Sequence, residues 1–579
     1  MNFSAIMHRT NYEFVIPLTR TELAIRLRCA KDDLTSVRFV YFSRYRSPST
    51  ALTQPLQIAY RDAYTDDYRA ILKFDSPARF LCYYFELTDQ DHRKIYLSEY
   101  GFSDGVPEDG FFEYQYTNEN DCVRPPDWAK GIVYYQIFPD RFYRSLNQKN
   151  RDDYRDWDEK PSLDDYWGGD LPGITERLPW ISALGVDCIY LNPIFHAECN
   201  HKYATTDYFT IDPDFGTMAD FHAFVAKAHS FGIRVVLDGV FNHSSRKFHP
   251  FMDFLARREA SEYFRWFLPV DRGEGGEILT YEAFADRAHM PKLNTDYRPV
   301  RDFVIEVMLF WLREGKIDGW RLDVADEVQL TTWSEVRRAV KAEFPEAILI
   351  AETWRDASRY LTQGDKFDTA MNYAFREAAR DFFANRRIGA AAFSSRINHM
   401  LSSYADVTNQ VMFNLLDSHD TPRFLYDAGN DRRRHRLAVG FQMTFVGSPS
   451  IFYGDEVGLS GGPDPDCRRG MIWDASRQDQ ETLVLYKKLI ALRKCEPALR
   501  FGSFKTVFTQ EPGVFVYQRD FGNVSILCAV NNSDAEAAIS PPESLRKGIL
   551  HDLMTGEDIE TPSLSSKIPI APMTLRILK

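Results

Sequence analysis

Between residue 132 and about residue 456, eight short apolar runs recur, each parted from the next by sequence long enough for a helix. The runs are 132–138, 188–192, 234–240, 319–324, 348–352, 369–373, 411–416 and 448–453. One intervening stretch, 300–313, carries Val300, Val304, Val307, Met308, Trp311 and Leu312 at helical spacing, so one face of a helix is apolar. Strand-length runs that alternate with helices predict parallel strands joined by crossovers, and eight of them predict a closed (β/α)8 barrel. Between Ser244 and about Met290 the alternation lapses, which predicts a small inserted domain after the third strand.

The flanks read differently. Up to about Val123 the apolar residues alternate with polar ones in short runs such as 22–27, 37–42 and 80–87. This period of two predicts an antiparallel β-sandwich. Pro125 and Pro126 mark a linker, and alternation returns after about Phe501 (514–518, 524–529). The expected organisation is therefore multidomain α/β. An N-terminal β-sandwich covers 1–124, a TIM barrel covers 125–500 with its insertion at about 244–290, and a C-terminal β-sandwich covers 501–579.

Composition removes several function classes. A net charge of -13 argues against nucleic acid, whose binding needs clustered Lys and Arg. No apolar run approaches the roughly 18 residues of a spanning helix, so no membrane partner is expected. Eight scattered cysteines without CxxC pairs read as reduced thiols, and His8 and Arg9 interrupt the place of a signal peptide's apolar stretch. A cytoplasmic location is expected. The glycines at 168–169 and 461–462 lack the GxGxxG spacing of a dinucleotide site.

In such a barrel, polar residues at the C-terminal ends of strands face the active site. Strand 3 ends in Asp238, Asn242 and His243; strand 4 in Arg321 and Asp323; strand 5 in Glu352; strand 7 in His419 and Asp420. Any one of these could be an ordinary solvated or salt-bridged group. Their convergence on one rim is the signal. A pair of carboxyl groups facing one bond is what glycoside hydrolysis requires, one as nucleophile and one as proton donor.

The segments DGVFNH (238–243), GWRLDVADE (319–327), AETW (351–354) and LLDSHD (415–420) stand in that order. They resemble the four signature regions of the α-amylase family of glycoside hydrolases. MPKLN (290–294) is similar to a further signature of the neopullulanase, cyclomaltodextrinase and maltogenic amylase branch. The resemblance implies that Asp323 is the nucleophile, Glu352 the general acid/base and Asp420 the third carboxylate. It also implies that Arg321 orients Asp323 and that Asp238, in the same signature region as His243, belongs to the substrate-binding set. His243 and His419 would bind sugar hydroxyls, and Tyr203 would stack under the sugar at the cleaved bond. Asp464 and Arg468 would close that subsite, with Phe284 and Trp354 on the leaving-group side.

The implied activity is retaining hydrolysis of α-1,4-glucosidic bonds in cyclomaltodextrins, pullulan and short maltooligosaccharides. An α-1,6-preferring or transglycosylating member is the alternative, and a non-catalytic glycan-binding relative is a third reading. Ala204, Asp326, Ala351 and Thr353 depart from the branch's usual residues and bear on substrate preference. The branch often binds calcium after strand 1, but here Arg144 and Leu146 fall where ligands are expected. Calcium takes six to eight oxygens, and only Asn147, Asp152, Asp153 and Asp170 remain as donors. No cofactor is required and no metal ligand is assigned, with calcium held by those four donors as the alternative. The branch also implies a homodimer in which the N-terminal domain covers the partner's active site. The aromatics Tyr41, Tyr45, Phe80, Tyr83, Tyr84, Phe111, Phe112 and Tyr114 are the candidates for that surface, with sandwich filling as their ordinary role.

Overall fold

The computed structural model describes residues 1–145, 151, 153–273, 278–542, 545, 548–561 and 567–579. The N-terminal part pairs nine antiparallel strands, from Val15–Thr19 to Phe112–Tyr116. Strand Leu52–Arg61 pairs through residues 52–56 with Leu34–Ser43 and through 57–61 with Thr65–Lys73. That single strand joins the two layers of the sandwich. Leu23, Leu27, Phe39, Phe85 and Leu87, all fully buried, form its core, as the period-two pattern requires.

Eight parallel strands follow: strand 1 Tyr134–Ile137, strand 2 Cys188–Leu191, strand 3 Arg234–Gly239, strand 4 Gly319–Leu322, strand 5 Ile348–Ala351, strand 6 Thr369–Ala370, strand 7 Phe413–Leu415 and strand 8 Ser448–Phe452. Neighbours pair in sequence order, strand 8 returns to strand 1, and a parallel bridge from Met371 to Phe413 closes the ring between strands 6 and 7. Each strand lies inside one of the eight apolar runs. Helix Arg298–Arg313 buries Val300, Val304, Val307, Met308, Trp311 and Leu312, the six residues of its apolar stripe. Each contributes on the order of 1.5–3 kcal/mol by leaving water, so a charge at Val304 would separate this helix from the barrel wall.

After strand 3 the chain leaves the barrel through helix His249–Arg257 and a hairpin of Pro269–Arg272 with Ile278–Tyr281. It returns by bridges Ala283–Pro291 and His243–Lys292. A second excursion has no counterpart in the eight-run pattern. Phe195–Ala197 and Thr205–Ile211 form a hairpin after strand 2, and the loop between them carries Tyr203. The last helix, Gln480–Cys495, leads to antiparallel strands Lys505–Phe508, Val514–Phe521, Val524–Asn531 and Thr574–Leu578.

The N-terminal sandwich is fastened to the barrel by charge. Arg69 donates to the carbonyl oxygens of Tyr404 and Ser402 at 3.0 and 2.9 Å and pairs with Asp406 at 2.9 Å. Tyr60 donates to the same Asp406 at 2.8 Å. Among the described residues no helix is long and apolar enough to cross a membrane.

Candidate active site

The centre of the rim is Arg321, fully buried on strand 4. Its Nη1 lies 2.8 Å from both Asp238 Oδ1 and Asp323 Oδ1 and donates to each. Its Nη2 lies 2.8 Å from Glu352 Oε1, a charge contact whose angles do not make a hydrogen bond. One guanidinium thus gathers the acidic ends of strands 3, 4 and 5. Burying these carboxyls without it would be costly, because an isolated charge loses its hydration.

Asp238 is held from the other side by Tyr190 at 2.6 Å and Tyr203 at 2.8 Å. The Tyr203 hydroxyl also meets Asn192 Nδ2 at 2.9 Å and His419 Nε2 at 2.5 Å. Gln136 approaches His419 Nδ1 at 2.8 Å, which leaves no freedom for that ring to turn. Asp420 lies 3.1 Å from His419 and 3.4 Å from Arg468, whose Nη1 is 3.1 Å from Asp464. Arg468 Nε donates to the His419 carbonyl oxygen at 2.8 Å, tying the loop after strand 8 to the end of strand 7. Asp420 keeps 27% of its side chain open, against 6% of residue surface for Asp323 and 4% for Glu352. It therefore borders the cleft rather than its floor.

Two aromatic pairs stand beside these groups. Phe284 stacks on His243 with centroids 4.8 Å apart and planes 12° apart. His243 Nε2 is buried without a protein partner, as a group reserved for a ligand hydroxyl would be. Trp354, 45% exposed, stacks on Tyr373 at 4.3 Å and 12°. The structure thus gathers Tyr203, Asp238, His243, Phe284, Arg321, Asp323, Glu352, Trp354, His419, Asp420, Asp464 and Arg468 in one connected neighbourhood. Gln136, Tyr190, Asn192 and Tyr373 belong to it as well. The strand-end rule would have found Asn192, whereas Gln136 and Tyr190 lie inside apolar runs and carried no signal.

Burial pushes the Asp323, Glu352 and Asp420 carboxyls above their ordinary range, and the neighbouring Glu352 charge adds to the rise at Asp323. The aligned bond from Arg321 goes to Asp323 and favours its ionised form. Burial drives His243 down to about 3 and holds His419 well below its usual value, so both rings are neutral.

After strand 1 the described polar groups bond to one another. Arg144 Nε donates to the Trp167 carbonyl oxygen at 2.9 Å. Asp170 accepts from Ser145 Oγ at 2.8 Å and from the Gly173 amide at 2.6 Å, where it caps helix Leu171–Leu184. Asp153 pairs with Arg151 at 2.8 Å. The carboxyl oxygens of Asp153 and Asp170 thus accept from protein donors. Leu146, Asn147 and Asp152 lie outside the described residues.

A (β/α)8 barrel with a carboxyl cluster at its strand ends is the layout of a glycoside hydrolase. The description "alpha amylase, catalytic domain" matches residues 136–477, and "alpha amylase, N-terminal ig-like domain" matches 1–118. The chain belongs to the alpha-amylase family. It is 41% identical to a cyclomaltodextrinase of Thermoanaerobacter pseudethanolicus, over 92% of this chain and 93% of that protein. It is 38% identical to neopullulanase 2 of Thermoactinomyces vulgaris, over 100% and 99%. A solved structure named cyclomaltodextrinase superposes with a TM-score of 0.93 at 37% identity, covering 100% of both chains.

Proposed function

We propose that the protein is a retaining hydrolase of α-1,4-glucosidic bonds in cyclomaltodextrins, pullulan and short maltooligosaccharides. The observation that carries this reading is Arg321 gathering Asp323 and Glu352 at 2.8 Å each. Asp323, the ionised partner, attacks the anomeric carbon. Glu352 gives its proton to the departing glycosidic oxygen, and a glycosyl ester forms on Asp323. Glu352, now a carboxylate, takes a proton from water, which attacks the same carbon and frees the enzyme. One guanidinium that contacts both carboxyls at 2.8 Å sets them close together, which favours retention over inversion. Asp420, His419 and His243 bind ring hydroxyls, Tyr203 lies under the sugar, and Trp354 and Phe284 face the leaving group.

Three further readings belong here. Activity needs no metal, which is supported by the satisfied oxygens of Asp153, Asp170 and Trp167. The protein is cytoplasmic, which its eight free cysteines suit. It acts as a homodimer. Tyr83 and Phe112 are buried in the sandwich, but Tyr45 is 72% exposed and free to meet a partner.

The test is chromatography of products from β-cyclodextrin, pullulan, soluble starch and panose. Pullulan cut at α-1,4 bonds gives a trisaccharide that retains its α-1,6 bond. Maltotriose from pullulan would show α-1,6 cleavage and replace this reading with its alternative.

A further inference from the structure

Val324 follows Asp323 and carries φ of +42° with ψ of 48°. Among the described residues it is the only β-branched side chain with positive φ. Left-handed backbone is open to glycine and tolerated by Asn, but a β-branched residue there is strained. Strain of this kind persists where surrounding bonds over-determine it, and two successive amides of this turn bond to Glu352. Strands 4 and 5 pair in register as far as Leu322 and Ala351. The next amide of strand 5, Glu352 N–H, still donates to Leu322 at 3.0 Å, and Asp323 N–H donates to Gly239 at 2.9 Å. At Val324 the ladder ends. The turn sends the Val324 N–H to the Glu352 carboxyl at Oε2, 2.9 Å away, and the Ala325 N–H to the Glu352 carbonyl oxygen, 3.1 Å away.

We propose that Val324 is a positioning residue, whose left-handed turn fixes the Glu352 carboxyl between its own amide and Arg321, in the orientation needed for proton transfer. The inference rests on the reading of Glu352 as general acid/base. Its chemical consequence has a sign. An amide donating to a carboxyl favours the ionised form, so the turn eases departure of the proton and opposes its return.

Val324→Gly keeps the amide but removes both strain and constraint. Its kcat should fall about tenfold with KM within about twofold, since a mis-set group costs transition-state stabilisation alone. The alkaline limb of kcat/KM should move up by about half a pH unit or more as the amide's hydrogen bond to Glu352 loosens. The melting temperature should not fall. Val324→Asn, which accepts left-handed backbone, should recover most of the lost kcat and return the limb. Unchanged kcat and pH profile in Val324→Gly would overturn the proposal. So would equal losses in Val324→Asn, which would assign the effect to the isopropyl group. Glu352→Gln tests the parent reading separately. It should still release about one equivalent of fluoride from α-maltosyl fluoride, whose leaving group needs no proton, then stall for want of the base, and should not cleave maltooligosaccharide.

Discussion

The rings of Tyr203 and His419 are parallel, their planes 3° apart and their centroids 5.4 Å apart. The Tyr203 hydroxyl binds both Asp238 and His419, so the ring that would lie under a sugar is fixed at its polar tip. Tyr203→Phe keeps the ring and strips the Asp238 carboxylate of one of its donors. A lost bond to a buried charged group is worth roughly 1–3 kcal/mol, so kcat/KM should fall about tenfold. Tyr203→Ala removes the platform too and should fall by a further factor of about ten or more. Steady-state kinetics on one maltooligosaccharide checks both. Equal activity of the Phe variant and wild type would show that the hydroxyl network is idle.

His8 gives a pH prediction remote from the cleft. Burial in the sandwich lowers its pKa to about 4, with Nδ1 2.7 Å from the Arg26 carbonyl oxygen and Nε2 3.0 Å from Tyr83. Below about pH 6.5 the unfolded chain takes up a proton there that the folded chain refuses, so stability is lost as pH falls toward 4. The loss is about 1.4 kcal/mol per pH unit. In His8→Gln the fall in unfolding free energy between pH 6 and 4.5 should be shallower by about that slope. Parallel curves from urea unfolding would contradict it.

Metal removal should have little effect. With Arg144 on the Trp167 carbonyl oxygen and Ser145 on Asp170, the chain supplies its own donors after strand 1. Incubation with EDTA should leave both kcat and melting temperature nearly unchanged, because no bound ion stabilises the native state by mass action. A large drop in melting temperature that calcium reverses would show a metal site.

Assembly should appear as a doubled mass in light scattering, with β-cyclodextrin strongly preferred over starch. A chain beginning near Pro125 should be monomeric and lose that preference. It also loses the Arg69 and Tyr60 contacts to Asp406, so its folding must be verified by circular dichroism. A monomeric intact protein would sink the dimer, and an unchanged preference in a folded truncation would free the N-terminal domain of that role.

Much of this architecture was legible because strand and helix periods differ. Eight apolar runs held eight strands, and the stripe from Val300 to Leu312 was the buried face of its helix. Asp238, Asp323, Glu352 and Asp420 were legible because charge at the end of an apolar run is costly unless a site explains it. The hairpin that carries Tyr203 was not. Phe195–Ala197 is three residues long, too short for any period to register. Tyr190 read as one more apolar residue within strand 2, because only the fold puts its hydroxyl on Asp238. Val324 gave no warning either, since valine is a strand former and its left-handed turn is imposed from outside.

The central claim, that Asp323 is the nucleophile beside a protonated Glu352, is tested most directly by trapping the glycosyl ester. The protein would be incubated with 5-fluoro-α-maltosyl fluoride, digested and analysed by mass spectrometry. One added glycosyl unit is expected on the peptide that contains Asp323, together with loss of labelling in Asp323→Asn. Labelling of Asp420 instead, or no adduct alongside an inverted first-formed product, would contradict it.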